Sequence, residues 1–146
     1  VLCSAFAKAL AECGASVAVL DLNKDAADKV ANEIKENGGK AIGVIPQFMV
    51  EQGWHHTGLT ELRITESMHE RKRTMADLSD AVIALPGGCG TIEELSEIIT
   101  WKQLGLYFNP IVILNINGYY DHFIAQLEKA IEEHFMGKIC FFRKRN

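Results

Sequence analysis

Residues Ala81-Val82-Ile83-Ala84-Leu85 form an unbroken apolar run, and Pro86-Gly87-Gly88-Cys89-Gly90-Thr91 follows it directly, opening a helix-like pattern. A strand that passes through a glycine turn into a helix start makes a phosphate cradle. Glycines let the backbone approach an anion. The first N–H groups of the helix have no partner within it, and they carry the positive end of its dipole. Glu94, one turn into that helix, is then set beside whatever the phosphate carries.

The rest of the chain keeps the same alternation. Periodicity predicts helices over 4–13, 24–37, 67–78, 91–106 and 120–135, and strands over 17–20, 41–45, 61–65, 81–85 and 111–115. Gly38-Gly39 closes the second helix, Pro46 stops the second strand, and a loop containing Gly53 and Gly58 leads to the third. Strands alternating with helices imply a parallel sheet covered on both faces: an α/β, Rossmann-like, doubly wound fold in a single domain over 1–146. Ligands of such sheets bind at the carboxyl ends of the strands, where the 86–91 turn falls. In the tail over 138–146, the basic stretch 141–146 is expected to fray.

Composition narrows the partners. A chain of 146 residues has the size for a core, and a net charge of -4 gives little attraction to nucleic acid. No apolar run is long enough to span a bilayer, and no secretory leader is read. Val1 is not an initiator Met, so the chain reads as processed, trimmed or engineered. The four cysteines, at 3, 13, 89 and 140, include no CxxC pair, which suits a reducing cytoplasm better than a disulfide framework or a zinc site. His55-His56 has no carboxylate or cysteine at ligand-like spacing, so no metal is expected.

Helical phase sorts the charged residues. In 91–106, Ile92, Leu95, Ile98 and Ile99 form one apolar stripe, with Glu93 and Glu97 roughly opposite it. Glu94 falls at the edge of the stripe, on the side of Ile98 and Trp101, where a carboxylate partly leaves water. It is either a functional acid or a first-turn acid that complements the helix dipole. In 67–78, Met68, Met75 and Leu78 make the apolar face, and Glu70, Arg73 and Asp77 lie opposite. Arg71 falls within the apolar face and Lys72 at its margin. An arginine pointing inward needs an anion or carbonyls as partners, unless it snorkels or forms a structural ion pair.

Ser67-Met68-His69-Glu70-Arg71-Lys72 followed by Pro86-Gly87-Gly88-Cys89-Gly90-Thr91-Ile92-Glu93-Glu94 resembles the LONELY GUY (LOG) family of cytokinin riboside 5′-monophosphate phosphoribohydrolases, often labelled "possible lysine decarboxylase". The family's Arg-Lys pair and its PGGxGTxxE motif are both complete. The resemblance runs over about 39–137 and takes in Ile42-Gly43-Val44-Ile45-Pro46, His56-Thr57-Gly58-Leu59-Thr60, Thr100-Trp101 and Asn117-Gly118-Tyr119-Tyr120-Asp121. It implies hydrolysis of the N-glycosidic bond of a purine nucleoside 5′-monophosphate, giving free base and ribose 5-phosphate. It implies that Arg71 and Glu94 are catalytic. Gly87, Gly88, Cys89, Gly90 and Thr91 would form the phosphate turn, with Met68, Lys72 and Thr100 as further substrate contacts. It also implies no cofactor and a homodimer. Trp101, Leu104 and Leu106 are either its apolar contribution or part of the monomer core. No lysine stands in a recognisable pyridoxal-phosphate setting, as lysine decarboxylation would require.

The first 38 residues depart from that pattern. The family's second glycine-rich loop is missing after 17–20, and Gly53 stands where many members place an acid. Residues 5–43 instead resemble the early part of a short-chain dehydrogenase, with Asp21 where an acid would read the ribose of NAD. The dehydrogenase's glycine loop and its Tyr-x-x-x-Lys pair are absent, which makes Asp21 a strand-end or capping acid. The chain therefore reads as a chimera of two Rossmann-like parents. Two alternatives to a phosphoribohydrolase stay open: a nucleotide-binding hybrid without turnover, and a fragment of an NAD-dependent dehydrogenase.

Overall fold

The computed structural model describes residues 9, 12–14, 16–17, 32–36, 38–55, 58–138 and 142–143. They fall into two compact units, Val1–Asp77 and Leu78–Asn146. Each unit contains one three-stranded sheet in which every described strand pair is parallel. Parallel strands alternating with helices make this the expected α/β, Rossmann-like class.

In the first unit, β1 (Ser16–Val17), β2 (Lys40–Pro46) and β3 (Glu61–Thr65) lie in that order. Ser16 pairs with Lys40, and Ile42 pairs with Glu61. Ala41, Gly43, Val44 and Pro46 are all buried, so β2 is enclosed without the one-sided alternation of a surface strand. The helix predicted over 24–37 is seen at 32–36, and it closes at the two glycines, whose N–H groups donate to the carbonyls of Lys35 and Ile34. The predicted helix at 4–13 and strand at 17–20 lie mostly outside the described residues, as does Asp21. Where a loop was expected after Pro46, a short helix α1 (Gln47–Glu51) begins at once. Proline at the N-cap loses nothing by lacking an N–H, and its extended backbone turns the strand directly into the helix. Helix α2 (Met68–Asp77) follows β3 and packs on β2 and β3.

In the second unit, β4 (Val82–Ala84), β5 (Ile111–Ile113) and β6 (Phe142–Arg143) form the sheet. Helix α3 (Cys89–Gln103) connects β4 to β5. A 3-10 turn (Ile116–Gly118) and helix α4 (Asp121–Glu132) follow β5. Within the tail, Phe142 and Arg143 pair with Val112 and Ile113 rather than fraying, and residues 139–141 and 144–146 lie outside the described residues. Leu95, Ile98 and Ile99 of α3, Ile111 and Ile113 of β5, and Tyr107 and Tyr120 are buried. Ile92, placed in the α3 stripe by phase, is exposed.

Candidate functional site

The second unit builds the glycine turn at the carboxyl end of β4, as the pattern predicted. The last ladder bond there runs from Leu114 N–H to the Ala84 carbonyl, at 2.9 Å. Beyond it the chain passes through Leu85, Pro86 and Gly87 to Gly88, the N-cap of α3, whose carbonyl accepts the first helical bond from Ile92 N–H. Cys89 and Gly90 are already helical, so the helix starts two residues before the periodic pattern does. Gly88, Cys89 and Gly90 are exposed, and Gly87 and Thr91 are half-buried. The first turn of α3 holds no acidic residue, so nothing there offsets the positive end of the helix dipole.

Gly87 is glycine for a steric reason. A Cβ there would fall on the side chain of Thr91, which folds back over the turn. Glu94 lies one turn beyond Thr91 on the same side of α3 and is half-buried. Glu93 is exposed, as phase predicted, whereas Glu97 is half-buried rather than solvated. Thr100 is exposed, and its hydroxyl donates to the Ser96 carbonyl at 2.8 Å.

The first unit holds the Arg-Lys pair. Helix α2 is started by two side-chain caps that periodicity alone does not reveal. The Ser67 hydroxyl accepts from Glu70 N–H at 3.1 Å, and the Glu70 carboxylate accepts from Glu66 N–H at 2.7 Å. That start fixes which way residue 71 faces. Arg71 is 8% exposed, and its Nε donates to the Val44 carbonyl of β2 at 3.1 Å. The inward arginine therefore has a strand carbonyl as one partner. Lys72 is half-buried, and Met68, expected on the apolar face, is 38% exposed, with Leu78 at 39%. Of the expected face Met75 is half-buried, and the fully buried residues of α2 are Arg71 and Ala76.

Asn115, Tyr119 and Tyr120 were not singled out as functional by periodicity, yet they bear on the turn. Tyr119 Oη donates to the Gly87 carbonyl at 2.6 Å, and Tyr120 Oη to the Leu85 carbonyl at 2.5 Å. Asn115 Oδ1 accepts from Tyr120 N–H, and Asn115 Nδ2 donates to Asp121. The available signal was Asn117-Gly118, a turn pair just past a strand. Asn117 has φ 51° and Gly118 φ 73°, left-handed values that glycine adopts without strain and asparagine tolerates.

Among the described residues, no group of three or more His, Cys, Asp or Glu side chains is gathered as a metal ion would need, and no helix is long and apolar enough to cross a membrane.

A family model described as "Possible lysine decarboxylase" matches residues 27–141. The match takes in 27–38, part of the stretch that resembled a dehydrogenase. A probable cytokinin riboside 5′-monophosphate phosphoribohydrolase of Oryza sativa subsp. japonica is 47% identical over 110 residues, covering 74% of this chain and 48% of the relative. A cytokinin riboside 5′-monophosphate phosphoribohydrolase of Rhodococcoides fascians is 47% identical over 109 residues, covering 73% and 54%. One of Arabidopsis thaliana is 43% identical over 107 residues, covering 73% and 50%. The chain spans about half the length of the curated relatives it matches.

Proposed function

The chain belongs to the family described as possible lysine decarboxylases, and from that premise we propose that it hydrolyses purine nucleoside 5′-monophosphates, of the AMP or cytokinin type, to free base and ribose 5-phosphate. The observation that carries this reading is the turn itself. Pro86 through Thr91 delivers an exposed helix N-terminus, with no acid in the helix's first turn, at a strand's carboxyl end, and a carboxylate follows one helical turn further on. The relatives named for that reaction supply the chemistry.

In the reaction, the bond from ribose C1′ to the base nitrogen breaks and its electron pair leaves with the base. Water adds its oxygen to C1′, and its proton balances the charge on the departing base. Positive charge builds on the ribose in the transition state, as in glycoside hydrolysis. Glu94 stabilises that charge or orients and deprotonates the water. Arg71 holds the phosphate or the ribose. Gly87, Gly88, Cys89, Gly90 and Thr91 receive the phosphate, and Met68, Lys72 and Thr100 make further contacts. No metal or redox cofactor enters this scheme. We place the reaction in the cytoplasm, which the free, exposed thiols of Cys13 and Cys89 support. We assign the protein a homodimeric state, supported by apolar side chains left exposed beyond α3.

The test is base release from AMP and from isopentenyl-AMP. Wild type releases base, and Glu94→Gln reduces the rate by about a hundredfold or more, the usual scale for losing a general acid–base group. Equal release from both proteins overturns the assignment. A second reading, nucleotide binding without turnover, is favoured by the bond between Arg71 and Val44, which gives that arginine a structural use. It predicts that AMP raises the melting temperature while no base appears.

A further inference from the structure

We infer that Tyr119 is a positioning residue for the glycine turn, acting through its hydrogen bond to the Gly87 carbonyl. This rests on the reading of that turn as the phosphate site. Past the last ladder bond of β4, the carbonyls of Leu85 and Gly87 have run out of strand to pair with, and Pro86 between them has no N–H. The two tyrosines following β5 take over where the ladder ends, Tyr120 at Leu85 and Tyr119 at Gly87.

The consequence follows from peptide geometry. In a planar trans peptide, C=O and N–H point in opposite directions. Holding the Gly87 carbonyl toward Tyr119 therefore turns the Gly88 N–H away from it. Gly88 is the N-cap of α3, so this amide is the one that precedes the helical N–H groups of the proposed phosphate site. A turn made of Gly87-Gly88 has little stiffness of its own, and an amide that is not aimed in advance must be ordered when the anion binds. Tyr119 supplies that aim before the ligand arrives.

The two tyrosines are separable. Tyr120 is 1% exposed, and its ring stacks edge-on between Tyr119, at 5.1 Å, and Phe123, at 6.2 Å. It is part of the core. Tyr119 is 52% exposed, and phenylalanine keeps the ring that meets Tyr120, so its hydroxyl can be removed with little effect on the fold.

The experiment compares wild type, Tyr119→Phe and Tyr120→Phe by melting temperature, by AMP hydrolysis and by calorimetric AMP binding. In Tyr119→Phe the melting temperature holds and kcat stays within about twofold, while KM for AMP rises about threefold to tenfold, the range for one net hydrogen bond lost from ground-state and transition-state binding alike. Tyr120→Phe lowers the melting temperature instead. An unchanged KM in Tyr119→Phe, or a fall in kcat that tracks a lower melting temperature at constant KM, overturns the positioning role and leaves Tyr119 a structural residue. If wild type binds AMP without releasing base, the hydrolytic reading fails by itself. The ratio of AMP dissociation constants between Tyr119→Phe and wild type then decides the positioning role, and a ratio of one overturns it. A wild type that neither hydrolyses nor binds AMP overturns both.

Discussion

Gly87 shows how a single hydrogen atom can govern a site. Its Cα faces the Thr91 side chain so closely that a methyl group cannot be added without displacing it. Thr91 is anchored in the first turn of α3, and its β-branched side chain has few rotamers to retreat into. Gly87→Ala is therefore expected to cost about 1–3 kcal/mol, the range for overpacking a well-fitted contact. The same substitution made on a Thr91→Ala background should cost at least about 1 kcal/mol less, because the obstacle is gone, and urea denaturation of the four proteins in a double-mutant cycle measures the difference. Equal costs on the two backgrounds would mean that Gly87 is needed for its backbone freedom alone. The motif made a glycine turn legible from residue types. The demand at position 87 was not legible, because it comes from a side chain four residues away whose rotamer only the folded helix sets.

At the scale of elements, α2 shows what fixes a functional side chain. Arg71 faces β2 because the helix starts where it does, and the bonds from Glu70 N–H to the Ser67 hydroxyl and from Glu66 N–H to the Glu70 carboxylate set that start. Ser67→Ala removes one of them and should lower stability by about 1 kcal/mol, the usual loss of a serine N-cap, as measured by the midpoint of urea unfolding. A Ser67→Asp variant restores the acceptor and should recover most of it. Periodicity found α2 and β3 to within a residue, since both carry strong patterns. It missed α1, because five residues are too few to display a helical repeat and Pro46 reads as a stop. It also missed β6, because the basic charges of the tail dominate the pattern and the pairing with β5 is non-local. The α3 start was shifted because glycine at 90 reads as turn, while Gly88 as N-cap had already committed the next residues to the helix.

At the scale of the whole molecule, the stretch beyond α3 bears on assembly. Leu104 is 66% exposed, Leu106 53% and Phe108 81%, so the first two do not belong to a monomer core. The segment carrying them is held in place by Lys102, whose ammonium donates to the carbonyls of Phe108 and Asn109. Three large apolar side chains on an anchored segment cost little entropy to bury, which is the property of an interface that forms between prebuilt surfaces. A stable homodimer buries about 800 Å² per partner, more than these three side chains offer, so they would be the apolar centre of a wider contact. Leu104→Glu combined with Phe108→Glu places two carboxylates in that centre, where an unpaired charge is strongly disfavoured. Sedimentation should then show wild type as a dimer and the double variant as a monomer with an unchanged far-ultraviolet spectrum. A wild type that sediments as a monomer removes the dimer from the proposed function. A double variant that stays dimeric moves the interface to another face.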